Sequence, residues 1–149
     1  MAGRSAQMEE AVFEHSVDVH SSPEEVFDYC TDLAREHEWN PKLRRAEKLT
    51  VDPIGTGTRF QAEFLKGDPM LIEYVGFDRP RTWESVGRSR RLDARNYGRV
   101  TATADGARLT MRMELQPSGV PRLVLPLLAR YMHRQQKRNL AAIKALLEA

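Results

Sequence analysis

Cysteine is nearly missing from this chain of 149 residues: Cys30 stands alone, so no internal disulfide can form and no thiolate zinc ribbon can be assembled. No apolar run approaches the roughly 20 residues that a membrane-spanning helix requires. Long Gly, Ser or Pro tracts are lacking too, which leaves no linker at which to divide the chain and points to one core. The start, Met1-Ala2-Gly3-Arg4-Ser5, has no apolar signal-peptide core, and alanine occupies the place where myristoylation requires glycine. A cytoplasmic protein is expected. The Gly-x-Ser-x-Gly elbow, His-Glu-x-x-His and the Walker loop are all absent. Gly55-Thr56-Gly57 begins like a dinucleotide fingerprint, but Phe60 stands where its third glycine belongs. The histidines, His15, His20, His37 and His133, have no metal-ligand spacing. Neither a metal nor an organic cofactor is expected.

What the chain does have is a patterned globular composition, 41% hydrophobic and 30% charged, with a net charge of +2. So small a surplus excludes a general polyanion binder, although the charge is unevenly spread. Residues 1–40 carry ten acids against Arg4 and Arg35, whereas residues 120–149 carry six basic residues against Glu148. The basic end offers a transient contact with an anionic membrane surface through Arg122, Arg130, Arg134, Lys137 and Arg138 beside Leu123, Leu125 and Leu127. Nucleic acid is not an expected partner, because Arg88-Ser89-Arg90-Arg91 is a short basic loop with no single-strand-binding motif near it.

Periodicity divides the chain into elements. A polar tail is expected over residues 1–10 and a single domain over 11–149. Alternation from Phe13 to His20 predicts a half-buried strand with Phe13, His15, Val17 and Val19 facing the core. Ser22-Pro23-Glu24-Glu25 then starts a helix, with Ser as N-cap, Pro in the first turn and Glu closing a capping box. On that helix Val26, Tyr29, Cys30 and Leu33 share one side, which makes Cys30 a packing residue. A second short helix is predicted over Arg35–Trp39 and ends at Asn40-Pro41. Strands are predicted over Leu43–Val51, Thr58–Phe64, Met70–Phe77, Thr82–Gly87, Asn96–Thr103 and Ala107–Leu115. The last two form a hairpin through Asp105-Gly106. Pro121–Leu147 reads as a long helix, kinked or freshly started near Pro126.

This order gives an α+β layer in which a curved antiparallel sheet wraps around a long C-terminal helix, with two short helices after the first strand. Ser22-Pro23-Glu24-Glu25-Val26-Phe27, Glu38-Trp39-Asn40-Pro41, Gly55-Thr56-Gly57-Thr58-Arg59-Phe60 and Tyr74-Val75-Gly76-Phe77-Asp78-Arg79-Pro80 follow one another along it. In these stretches the chain resembles the START-like, or Bet v 1-like, superfamily (SRPBCC), which includes polyketide cyclases/dehydrases and lipid-transport proteins. The resemblance implies a helix-grip fold with an internal cavity between sheet and helix. It implies that the protein binds a hydrophobic small molecule, such as a lipid, polyketide or isoprenoid, or alternatively acts as a polyketide cyclase or dehydratase. A shared fold does not choose between them.

In that fold Trp39, Phe60, Phe64, Tyr74, Trp83, Met111, Met113, Leu128 and Tyr131 are the candidate ligand-lining residues. For a catalytic reading the candidates are His15, Tyr74 and Tyr131, as acid/base or orienting groups. Arg95, Asn96 and Tyr97 lie on a strand whose register is open, and a one-residue slip reverses their faces.

Overall fold

The computed structural model describes residues 12–118 and 120–149; the tail expected over residues 1–10, and Ala11, lie outside the described residues. β1 (Val12–Val19) keeps the alternation of its sequence, and Phe13 and Val19 are buried. The Ser22 hydroxyl accepts a hydrogen bond from the Glu25 N–H at 3.2 Å and so caps α1 (Pro23–Thr31), whose inner side is Val26, Phe27, Tyr29, Cys30 and Thr31. The second short helix is a 3₁₀ turn over Leu33–Glu38. It starts two residues earlier than the sequence suggested, because the Asp32 carboxylate accepts from the Ala34 N–H at 3.2 Å and sets its first turn.

Six strands follow: β2 (Leu43–Lys48), β3 (Arg59–Phe64), β4 (Met70–Asp78), β5 (Thr82–Arg88), β6 (Leu92–Thr103) and β7 (Gly106–Pro117). They form one antiparallel sheet with β1, in the order β1-β7-β6-β5-β4-β3-β2. Register shifts at Leu43/Arg45 and Tyr74/Gly76 bend the strands that carry them and help curl the sheet into a half-barrel. β2 stops at Lys48 rather than Val51: the Leu49 N–H still donates to the Arg59 carbonyl at 2.8 Å, but the side chains of Leu49 and Val51 are exposed beyond it. β6 starts at Leu92 rather than Asn96. Its polar early residues, Asp93 and Arg95, alternate outward while Leu92 and Ala94 join an apolar cluster.

The long helix α2 (Leu125–Leu147) begins at Leu125, not Pro121, and Pro126 sits in its first turn. A missing N–H costs nothing there, so the proline starts the helix instead of kinking it. Ala129, Gln136, Leu140 and Ile143 are its buried positions. At the far end Lys144 Nζ donates to the Asp18 carbonyl and to Glu148 Oε2, each at 2.7 Å, and the His20 N–H donates to the same Glu148 oxygen at 3.0 Å. α2 is thereby clamped along β1, inside the curl of the sheet. No described helix is long and apolar enough to cross a membrane.

Candidate ligand-binding site

Cross-strand register fixes what the inner face of the sheet presents. One row runs His15, Met111, Gly98, Trp83 and Phe77 from β1 to β4, and the next runs Phe13, Met113, Asn96, Ser85 and Tyr74. Asn96 therefore faces inward, and Arg95 and Tyr97 face out, where Arg95 Nη1 meets Glu84 Oε1 at 2.6 Å and the Arg112 guanidinium lies 5.9 Å from the Tyr97 ring centre.

The nine sequence-derived lining residues separate into three groups. Trp39, Phe60, Tyr74 and Trp83 are buried and make up the packed floor of the concave face. The Tyr74 ring meets Phe60 and Phe77 edge-on, and Trp83 meets Phe27 of α1 in the same way. Phe64, Met111, Met113 and Leu128 are partly exposed, as are their neighbours Met70, Ile72 and Asn96, so solvent reaches this part of the concave surface. Tyr131 is 48% exposed and lies on the side of α2 that faces the segment before β2, with the Lys42 ammonium 5.8 Å from its ring centre.

Small residues on β5 and β6 make this floor possible. A Cβ on Gly98 would lie 2.1 Å from the Trp83 indole, so the ring rests directly on that glycine. A Cβ on Gly87 would lie 2.4 Å from Met70 Sδ, so a thioether occupies the equivalent space on β5.

The polar groups of the interior differ in how far they are already engaged. His15 Nδ1 sits 2.7 Å from Gln136 Oε1 on α2. With the amide oxygen as acceptor, Nδ1 carries the proton and Nε2 is left as a free lone pair, the form a general base needs. The His133 ring lies against it at a centroid distance of 4.3 Å. Partial desolvation of this largely exposed ring, then the neighbouring His15 and Lys137, lower the His133 pKa below the ordinary imidazole value. Tyr74 is committed elsewhere: its hydroxyl donates to the Thr31 carbonyl at 2.7 Å, and burial raises its pKa well above the usual phenol value. Tyr74 thus ties the end of α1 to β4, and its proton is not available for transfer. The Trp39 indole Nε1–H is buried and finds no acceptor among the described residues.

Glu36 was not singled out from the sequence. Burial raises its carboxyl to about 6, and Asn40 Nδ2 donates to it at 2.9 Å, which opposes the rise. Its signal was present, because Cys30, Leu33 and Glu36 follow at three-residue steps on the inner side of the helical segment. Cys30 is inert as a nucleophile, since burial pushes its thiol far up. No group of three or more His, Cys, Asp or Glu positioned for a metal ion occurs among the described residues.

A groove of about 760 Å³ also opens on the outer, convex side of the sheet, along Glu14, Glu84, Tyr97, Arg99 and Arg112. Its charges largely satisfy one another, as in Arg95–Glu84 and Arg112–Glu114 at 2.8 Å. Its rim of Glu14, Glu84, Arg99, Arg112 and Glu114 is charged, so the candidate site for an apolar ligand is the concave face.

Residues 10–148 match the family model described as polyketide cyclase / dehydrase and lipid transport. Among solved structures the chain is similar to a START superfamily protein from Mycobacterium smegmatis, at 12% identity, 92% coverage of this chain, 97% of that chain and a TM-score of 0.77. It is also similar to the di-domain ARO/CYC StfQ from the steffimycin biosynthetic pathway, at 16% identity, covering 99% of this chain and 54% of that one with a TM-score of 0.75. A third likeness is to Ara h 8.0201, at 13% identity, 91% coverage of this chain, 96% of that chain and a TM-score of 0.70. No match was found among curated proteins.

Proposed function

Because the chain belongs to the polyketide cyclase / dehydrase and lipid transport family, we propose that it is a cytoplasmic protein that holds a hydrophobic small molecule against the concave face of its sheet. The observation that carries this reading is the mixture on that face. Phe64, Met111, Met113 and Leu128 give part-exposed apolar surface, and Asn96 and the free Nε2 of His15 stand among them as isolated polar anchors. A pocket of mainly apolar walls with a few convergent polar groups suits a lipid, polyketide or isoprenoid carrying a carbonyl or hydroxyl. Methionines adapt to an irregular partner without loss of packing. The test is native mass spectrometry of the freshly purified protein beside a denatured sample. A discrete apolar molecule lost on denaturation supports the reading. An empty protein that also binds none of a panel of lipids, isoprenoids and aromatic polyketides sinks it.

A second reading, cyclase or dehydratase chemistry, is favoured by one feature. With Gln136 Oε1 accepting from Nδ1, the neutral His15 ring keeps the lone pair of Nε2 for use as a base. In this scheme His15 removes a proton activated by neighbouring carbonyls, and the pocket folds the chain for carbon–carbon bond formation. His15→Ala then abolishes turnover of a poly-ketone substrate, Gln136→Ala lowers it, and Tyr74→Phe leaves it intact because that hydroxyl already serves Thr31. Unchanged turnover in His15→Ala removes the catalytic reading and leaves the binding one standing.

A further inference from the structure

Two basic segments far apart in sequence meet at one end of the molecule. The tight β5–β6 turn carries Arg88, Arg90 and Arg91, and the Ser118 N–H at the end of β7 donates to the Arg91 carbonyl at 3.0 Å. A few residues later come Arg122, Leu123 and the start of α2, whose Leu125 packs with Leu92 and Met70 against the Phe13–Leu115 cluster. Arg91 also reaches toward Asp68 of the β3–β4 turn, at 4.0 Å. Among the described residues the fold thus gathers Lys66, Arg88, Arg90, Arg91, Arg122 and Arg130 at one end against Asp68 and Asp93. Arg88, Arg90, Arg122 and Arg130 make no ion pair with any described residue.

Exposed apolar side chains accompany these arginines. Leu123 is 91% exposed, Leu127 65%, Leu65 54% and Val124 45%. Leucines left bare between arginines are ordinary neither for a solvated helix face nor for a nucleic-acid surface, which wants the charge without the hydrocarbon. A bilayer interface takes both: anionic headgroups meet the arginines, and the leucines enter the boundary of the acyl chains.

We propose that this end of the half-barrel, the β5–β6 turn together with the start of α2, docks on an anionic lipid surface. The part-exposed Met70, Leu92 and Met113 lie just inside it, so docking brings the concave face to the membrane, where apolar ligands reside. The docking surface goes beyond the ligand-binding reading and stands without it, since its residues are outside the concave face.

The test is co-sedimentation of the full chain with phosphatidylcholine vesicles, with and without an equal part of phosphatidylglycerol. Binding is expected only with phosphatidylglycerol and is expected to fall with added salt. Arg90→Gln on the turn and Arg122→Gln before α2 should each weaken partitioning about fivefold. Leu123→Ser with Leu127→Ser weakens it without changing the charge. All of these side chains are exposed, and circular dichroism checks that each variant is folded. The decisive variant is Arg90→Gln: if it binds vesicles as the wild type does, the composite surface is refuted, because a site confined to α2 would ignore it. Equal binding to neutral vesicles, or binding to duplex DNA but not to vesicles, also overturns the proposal. Uptake of an apolar fluorophore without vesicles reports separately on the concave face, so the two readings fail by different signals.

Discussion

The two ends of the half-barrel are built on different principles. At the α1 end, Val26, Phe27, Cys30, Tyr74 and Trp83 are each at most 5% exposed, and the Thr31 carbonyl is held by the Tyr74 hydroxyl at 2.7 Å. Rigid rings interlock there, and Trp83 is seated directly on Gly98. The opposite end is packed by Met70, Leu92, Met113, Leu125 and Met132, none fully buried, around a small nucleus of Phe13, Ala94, Leu115 and Ala129. There the flexible Met70 fills the space over Gly87. Stability is therefore concentrated where α1 closes the barrel, and adaptability where α2 begins. Parts of a protein that admit ligands or move are drawn from its less tightly packed regions.

The largest expected effect comes from breaking the rigid end. Phe27 is fully buried and meets both Phe77 and Trp83 edge-on, so Phe27→Ala removes a ring from a region with little freedom to collapse. A loss of about 4 kcal/mol is expected in urea denaturation. A loss below about 1 kcal/mol would mean that this end relaxes as readily as the other.

Gly98→Ala attacks the same end by overpacking. The added Cβ falls 2.1 Å from two indole atoms of Trp83, and the indole is wedged against Phe27 and cannot turn aside cheaply. A cost of about 3 kcal/mol is expected, with loss of the near-ultraviolet signal of Trp83. A fully stable Gly98→Ala protein with unchanged tryptophan spectra would show that the ring does not rest on the glycine.

Glu36 sharpens the comparison from the electrostatic side. Its carboxyl, raised to about 6 by burial against an ordinary 4.5, favours the protonated form in the folded state. Folding is therefore opposed as pH rises from about 4.5 through about 6, and above that the penalty is constant. The gap corresponds to on the order of 2 kcal/mol. Glu36→Gln keeps an acceptor for Asn40 and is expected to stabilise the protein by about that amount near pH 7, with little gain near pH 4. An equal gain at both values would assign the effect to packing and not to the buried charge.

Local signals gave the elements, and longer-range contacts decided the site. The Ser22 cap and Pro23, the alternation in β1 and β7 and the helical face of α2 are all written within a few neighbouring residues, so the α+β order and the helix-grip arrangement were readable. The role of Tyr74 was not, because its hydroxyl partner Thr31 lies 43 residues away and no local pattern joins them. Asn96 was ambiguous for the same reason: only pairing with Met113 and Ser85 fixes its inward face. Trp39, Phe60 and Trp83 are lining-type residues by composition, but their burial shows that they build the floor. Tyr131 carries an aromatic on a helix with an apolar face, yet its position on that helix turns it toward Lys42. The basic β5–β6 turn and the basic helix read as two separate charge runs, and it is the backbone bond from Ser118 to Arg91 that makes them one surface.

The smallest stability change is expected at the glycine that mirrors Gly98. Gly87→Ala puts a Cβ 2.4 Å from Met70 Sδ and 3.1 Å from its Cγ, but Met70 is only part-buried and has three rotatable bonds with which to leave. The cost should stay below about 1 kcal/mol. What should change instead is ligand uptake, since the displaced thioether must go either into the concave space or out of it. Adding Met70→Ala to Gly87→Ala separates the two effects. If the thioether is the only obstacle, the double variant recovers the affinity of Met70→Ala alone, a coupling that a double-mutant cycle reads directly. If Gly87→Ala costs as much stability as Gly98→Ala, Met70 is held as firmly as Trp83, and the contrast between a rigid and an adaptable end is lost.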